Sequence, residues 1–189
     1  MKKMALSFLL LLLLTGCEQK AQELQQAMDL RENLLNSEGC SFLCDITADY
    51  GDSVHKFSVD CKGDSQGNVS FTVTAPETIS GIRGQISDRG GEILFEETAL
   101  HFGLLTDRQL SPVSAPWIFL RTLRGGYLMN GGKDEDLIHI GARDSYDEDA
   151  MLTDLWLTSG GQPQRSEILF RGRKILTLEI QNFQIQSGE

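Results

Sequence analysis

The 189-residue chain has little positive charge, few histidines and only one long apolar run. Seventeen Lys and Arg face 27 Asp and Glu, for a formal charge of −10. That balance leaves no basic footprint for nucleic acid, and an anionic lipid surface would repel it. The three histidines, His55, His101 and His139, are scattered, each in or beside an expected strand. There is no G-x-S-x-G turn to present a nucleophile and no G-x-G-x-x-G run to cradle a phosphate. Gly125-Gly126 and Gly131-Gly132 read as turns around Tyr127–Asn130. No catalytic residue, and hence no enzyme, is expected. The acidic stretches 133–136 (KDED) and 144–149 (DSYDED) lack the central glycine and spaced oxygens of an EF-hand loop. They read as solvated loops that discourage pairing at a sheet edge. No metal and no cofactor is expected.

The single apolar run, Met4 to Leu14, is broken only by Ser7 and follows Lys2 and Lys3. A bilayer span needs about 20 apolar residues, whereas the apolar region of a signal peptide needs about 7–15. The run is therefore an address and not a span. Leu14-Thr15-Gly16-Cys17 then resembles the bacterial lipobox, in which the chain is cut before a cysteine that receives diacylglycerol. The resemblance implies that residues 1–16 are removed and that Cys17 becomes a lipidated N-terminus. The protein would then sit on a cell membrane, facing the extracytoplasmic side. Two or three acyl chains on one cysteine exceed the single-chain limit of reversible binding. Loss of Lys2 and Lys3 leaves 15 basic residues against 27 acidic ones, moving the formal charge to −12.

With Cys17 lipidated, Cys40, Cys44 and Cys61 remain in an oxidising compartment, where an odd count suggests one bridge and one free thiol. Phe42, Cys44, Ile46, Ala48 and Tyr50 alternate with mostly polar residues, as do Phe57, Val59 and Cys61. Both read as half-buried strands. A hairpin turning through Gly51–Val54 would set Ile46 opposite Val59 and Cys44 opposite Cys61. Cys61 is the expected partner in a disulfide, with either Cys44 or Cys40. No basic group nearby supports a reactive thiol.

Residues 17–22 read as a short lipidated tether, and residues 23–189 as one domain. Leu24, Ala27, Met28, Leu34 and Leu35 recur at helical spacing, with Arg31 interrupting the stripe. Alternating strands follow at about 69–73, 82–86, 92–97 and 98–102, Pro76 ending the first of them. Gly84 would permit close packing or a bend. Ser114 and Pro116 then open, and Gly125-Gly126 close, a helix around Trp117–Arg124 that is apolar on most sides and so expected to be buried. Further strands at 127–129, 137–142 and 151–158 precede a hairpin turning through 171–174. The simplest fold is α+β: a single curved antiparallel sheet with two helices packed on its concave face.

The element order, with TADYGD (47–52), FTVTAPETISGI (71–82) and QPQRSEILFRGRKILTLEIQNF (162–183), resembles the LolA/LolB-like lipoprotein-carrier superfamily. The resemblance implies an incomplete barrel whose apolar concave face binds acyl chains in several members. In others, including GerS-type lipoproteins, the fold acts as a platform for protein partners. On this reading Phe42, Ile46, Val59, Phe71, Val73, Phe95, Trp117 and Leu120 are the candidates to line the concave face. The same residues would equally fill an ordinary core. An anchored Cys17 would preclude shuttling as a soluble carrier does. The expected function is therefore an interaction module for an envelope protein partner, the alternative being an acyl chain or other apolar ligand held in the cavity.

Overall fold

The computed structural model describes residues 15–95, 98–106, 109–147 and 150–186. Most of the expected signal peptide lies outside these residues, as do Glu148 and Asp149 of the second acidic stretch. Helix α1 spans Thr15–Leu35. It is followed by β1 (Gly39–Asp49), β2 (Val54–Asp64), β3 (Val69–Ala75), β4 (Arg83–Ser87), β5 (Gly90–Phe95) and β6 (Thr98–Phe102). A two-stranded ribbon, β7 (Leu105–Thr106) and β8 (Gln109–Leu110), leads to helix α2 (Ala115–Gly125). The chain ends with β9 (Tyr127–Asp134), β10 (Leu137–Arg143), β11 (Leu152–Leu157), β12 (Pro163–Phe170) and β13 (Arg173–Gln186).

Eleven strands form one sheet in the order β6-β5-β4-β3-β2-β1-β13-β12-β11-β10-β9, with every pairing antiparallel. The sheet does not close, so β6 and β9 are its edges. Alternation along β1 places Cys40, Phe42, Cys44, Ile46 and Ala48 on the buried face and exposes Leu43, Asp45 and Asp49. Helix α2 lies against that face. Eight of its eleven residues are buried, Trp117 to Leu120 and Leu123 among them. A helix apolar on most sides needs cover all round, and the sheet on one side and α1 on the other supply it. Close approach depends on a missing side chain at Gly63: a Cβ there would lie 2.6 Å from Leu120 Cδ1. At Gly84, likewise, a Cβ would fall 2.5 Å from the Phe71 ring, in line with the close packing expected of this glycine.

The face α1 buries differs from the expected stripe. Ala27, Leu30 and Leu34 are buried, while Met28 and Leu35 are exposed. Arg31, which seemed to break the pattern, faces inward at the side of that stripe. It donates from Nε to the Leu123 carbonyl (2.6 Å) and from Nη2 to those of Gly126 (2.7 Å) and Thr122 (3.2 Å). These are carbonyls of the last turn of α2, of which Thr122's also accepts the Gly126 N–H (2.9 Å). Arg124 of α2 answers by donating to the Leu34 carbonyl (3.5 Å) at the end of α1. Helix α1 also begins at Thr15, so residues 17–22, expected as a tether, continue the helix.

The first hairpin forms on the expected residues but in a register shifted by two. Ile46 pairs with Phe57, Cys44 with Val59 and Phe42 with Cys61. The cause lies in the turn. Asp49 accepts the Gly51 N–H (2.8 Å) and Tyr50 N–H donates to the Ser53 carbonyl (3.0 Å), closing the loop over Tyr50–Ser53. A shift of two keeps every side chain on its face, but Cys44 and Cys61 are no longer opposite. The expected bridge from Cys61 to Cys44 or Cys40 is absent: all three thiols are free and buried. Burial pushes the Cys40 thiol up to about 11 and raises Cys61 well above its ordinary value. Cys44 is raised by burial and by the neighbouring Asp45 and Glu179 carboxylates. In a Cys17→Ala chain, mass-resolved alkylation should label no cysteine in the native state and three after unfolding. Stability should also fall as pH rises from about 9 to about 11. The unfolded thiols lose their protons near 9.0 while the folded Cys40 keeps its proton, so the unfolded state is favoured above that value.

Candidate functional site

The inner face is closed where α2 covers it. Phe42, Ile46, Val59, Phe71, Val73, Trp117 and Leu120 belong to one core, and none is more than 3% exposed. Phe42 sits edge-on to Phe119, with ring centres 5.6 Å apart, and 5.7 Å from Phe183. Phe119 and Phe183 are themselves 6.2 Å apart. The helix therefore plugs the curve of the sheet with interlocked rings. Phe95, the remaining candidate, stands apart from this group and is 54% exposed.

Open space lies instead at one end of the sheet, beyond Trp117. A wide-mouthed cleft of about 1120 Å³ is bounded by the β2–β3 turn, the β4–β5 turn, the end of β6 and the polar side of α2. Asp64 holds the first wall in shape by accepting the N–H groups of Gln66 (2.9 Å) and Asn68 (2.9 Å) and the Asn68 side-chain amide (2.8 Å). Partial burial would raise its carboxyl, but these bonds outweigh burial and hold it below the usual carboxylate range. On the helix side, Arg121 lies over the Trp117 ring at 5.2 Å. Arg124 is tied to the Ser65 carbonyl at 2.6 Å. Arg89, Asp88, Glu92 and His101 complete the rim, with His101 Nδ1 3.9 Å from Glu92 Oε2. Positive and negative groups alternate around the mouth, so the cleft suits polar groups of mixed sign and not an acyl chain. Its neighbour, the β5–β6 hairpin, exposes apolar side chains on both faces: Phe95 and Leu100 (57%) on the face that carries Phe71, and Leu94 (47%) on the other.

Beyond this end the architecture is plain. An eleven-stranded antiparallel sheet curves around two helices and stays open at both edges. The fold is a curved α+β half-barrel. No family model matches the sequence, and no curated protein matches it either. Among solved structures, the half-barrel is similar to a DUF1329 family protein from Desulfovibrio piger, at a TM-score of 0.50 and 10% identity over 89% of this chain and 94% of that one. It is also similar to a LolA superfamily protein from Nitrosomonas europaea (TM-score 0.46, 11% identity, 86% and 94% coverage). A third likeness is to a structure of the CwlD amidase in complex with the GerS lipoprotein from Clostridioides difficile (TM-score 0.41, 11% identity, 80% and 89% coverage). At these identities the likeness is one of fold.

The convex face of the half-barrel holds a cluster that a reading strand by strand does not reveal. Trp156 lies between the His139 ring (4.8 Å) and the Arg165 guanidinium (4.9 Å), and its indole N–H donates to Asp134 (2.7 Å). His139 Nε2 is 2.9 Å from Asp154 Oδ1. His139 and Trp156 face each other across β10 and β11, as do Trp156 and Arg165 across β11 and β12. Only the register aligns them. The cluster packs an outward tryptophan to 8% exposure and gives Asp134 of the first acidic stretch a structural role. Among the described residues, no group of three or more His, Cys, Asp or Glu is placed to hold a metal ion. No helix among them is long and apolar enough to cross a membrane.

Proposed function

We propose that the protein is a membrane-anchored extracytoplasmic lipoprotein that serves as an interaction module for a protein partner in the cell envelope. The partner is held at the end of the half-barrel formed by β4, β5 and β6. The observation that carries this reading is the contrast between two apolar surfaces. The concave face is filled beneath α2, whereas at its β5–β6 end Phe95 and Leu100 stand exposed on that same face, beside a polar cleft. An apolar cluster rimmed by polar groups is what a protein-binding site presents. Acyl-chain binding in the concavity would have to displace Phe42, Phe119 and Phe183 from one another. Lipidated Cys17 supplies the anchor. With α1 helical from Thr15, the anchor would lie only about 9 Å of helix rise from Glu23, holding the domain close to the bilayer.

Two measurements test this. Cells fed radioactive palmitate should label the protein, and Cys17→Ala should abolish both the label and membrane fractionation. A photo-crosslinking residue at Leu100 or Phe95 should give one discrete protein adduct in the envelope, whereas one at Lys56 should not. Label retained by Cys17→Ala would overturn the anchor, and equal adducts from all three positions would overturn the site. Co-purified lipid in the unlipidated protein would favour the acyl-chain reading.

A further inference from the structure

Both signs of charge surround the polar cleft, but they are divided between its walls. On the helix side, Arg121 lies over the Trp117 ring at 5.2 Å, and Arg124 is committed to the Ser65 and Leu34 carbonyls. Neither forms an ion pair among the described residues, in a chain with 27 acidic side chains. The helix wall therefore holds two arginines and no carboxylate. The β4–β5 side has the reverse balance: Asp88 and Glu92 against Arg89, with His101 standing 3.9 Å from Glu92 at the rim. Asp88 and Arg89 likewise form no ion pair among the described residues. Gln66 and Gln85 add side-chain amides to the lining.

Gly125 marks the helix wall in a second way. Alanine is a better helix former than glycine, and glycine at a helix end commonly serves a left-handed turn. Gly125 is not left-handed, and a Cβ there would meet nothing within 4 Å. Neither backbone nor packing calls for glycine, yet its bare surface keeps the cleft wide beside Arg121.

We infer that this cleft binds a short free peptide, with its terminal carboxylate on Arg121 and its terminal ammonium at Asp88 and Glu92. A guanidinium fork matches a carboxylate through two parallel hydrogen bonds, and contact with the Trp117 ring holds that fork in place. The space, about 1120 Å³, exceeds what a single amino acid needs. The Gln66 and Gln85 amides suit the peptide groups between the two ends. An acyl chain offers neither charge, and an internal segment of a protein offers neither end. The inference does not rest on the partner-binding reading.

The test is calorimetric titration of the lipidated full protein in phosphatidylcholine nanodiscs with tetraalanine, against empty nanodiscs. N-acetyl-tetraalanine and tetraalanine amide, each lacking one end charge, are the controls. Tetraalanine should bind at least tenfold more tightly than either. In Arg121→Ala the free and amidated peptides should bind equally, while acetylation still weakens binding. Asp88→Asn should instead shrink the effect of acetylation. Gly125→Leu should weaken binding at least tenfold with the melting temperature unchanged, because a side chain there enters open space. An absence of tetraalanine binding would overturn the inference, as would unaltered binding by Arg121→Ala or by Gly125→Leu. Equal binding of the blocked peptides would overturn it as well, making an internal protein segment the occupant.

Discussion

Phe42→Ala is expected to cost about 3–5 kcal/mol of stability, the range for deleting a large buried ring from a close-packed core. Phe42 is 2% exposed and touches two other rings, each pairing being worth about 0.5–1.5 kcal/mol beyond simple burial. Its neighbours cannot collapse freely into the space, because Phe119 is fixed on α2 and Phe183 on β13. The denaturant midpoint of the purified protein, at unchanged slope, reads the effect directly. The size of the loss also distinguishes the two roles of the concave face. A residue lining an open acyl-chain cavity would lose ligand on truncation but little stability. A loss under about 1 kcal/mol would therefore argue against the filled core.

Arg31→Ala is expected to cost roughly 2–3 kcal/mol, although the residue lies outside the apolar core. Three hydrogen bonds from one guanidinium hold the last carbonyls of α2, where a cation also meets the negative end of the helix dipole. Removal takes a donor from each of those carbonyls, Thr122's keeping the Gly126 N–H, and unties the two helices where they meet. Burial lowers the Arg31 pKa from its ordinary value, but an arginine so placed stays charged, so the loss should be flat across neutral pH. Arg31→Lys should recover less than half, because a point-like ammonium cannot span carbonyls placed for a planar fork. Urea titration followed by tryptophan emission checks both, since Trp117 reports on the seating of α2. An Arg31→Lys variant as stable as the parent would show that charge alone is needed.

The second helix and the strands were legible in the sequence for a shared reason: each carries its signal locally. Ser114, Pro116 and Gly126 bracket α2, and period-two alternation marks β1, β3 and the closing hairpin. The face of α1 was less legible. Met28 and Leu35 fit a helical stripe as well as Leu30 does, and only the position of β9, β10 and α2 selects which side is covered. Arg31 looked like a flaw because its partners lie more than 90 residues away. The hairpin register differs by two residues because the Gly51 N–H bond to Asp49 sets the four-residue turn one position earlier, over 50–53. That shift left the faces intact but separated the cysteines from the pairing a bridge would need. The cleft gave no signal at all, being assembled from two turns, a strand end and one side of a helix.

The sequence alone determined the chain's acidity, its lipobox-like start, and an α+β sheet with two helices, because composition, motif and periodicity are properties of short stretches. Tertiary structure alone decided that the concave face is filled beneath α2 and that Phe95 and Leu100 are left exposed at its β5–β6 end. The reason is physical: volume and exposure depend on how distant segments fit together. No residue carries in its own neighbourhood the information of what will cover it.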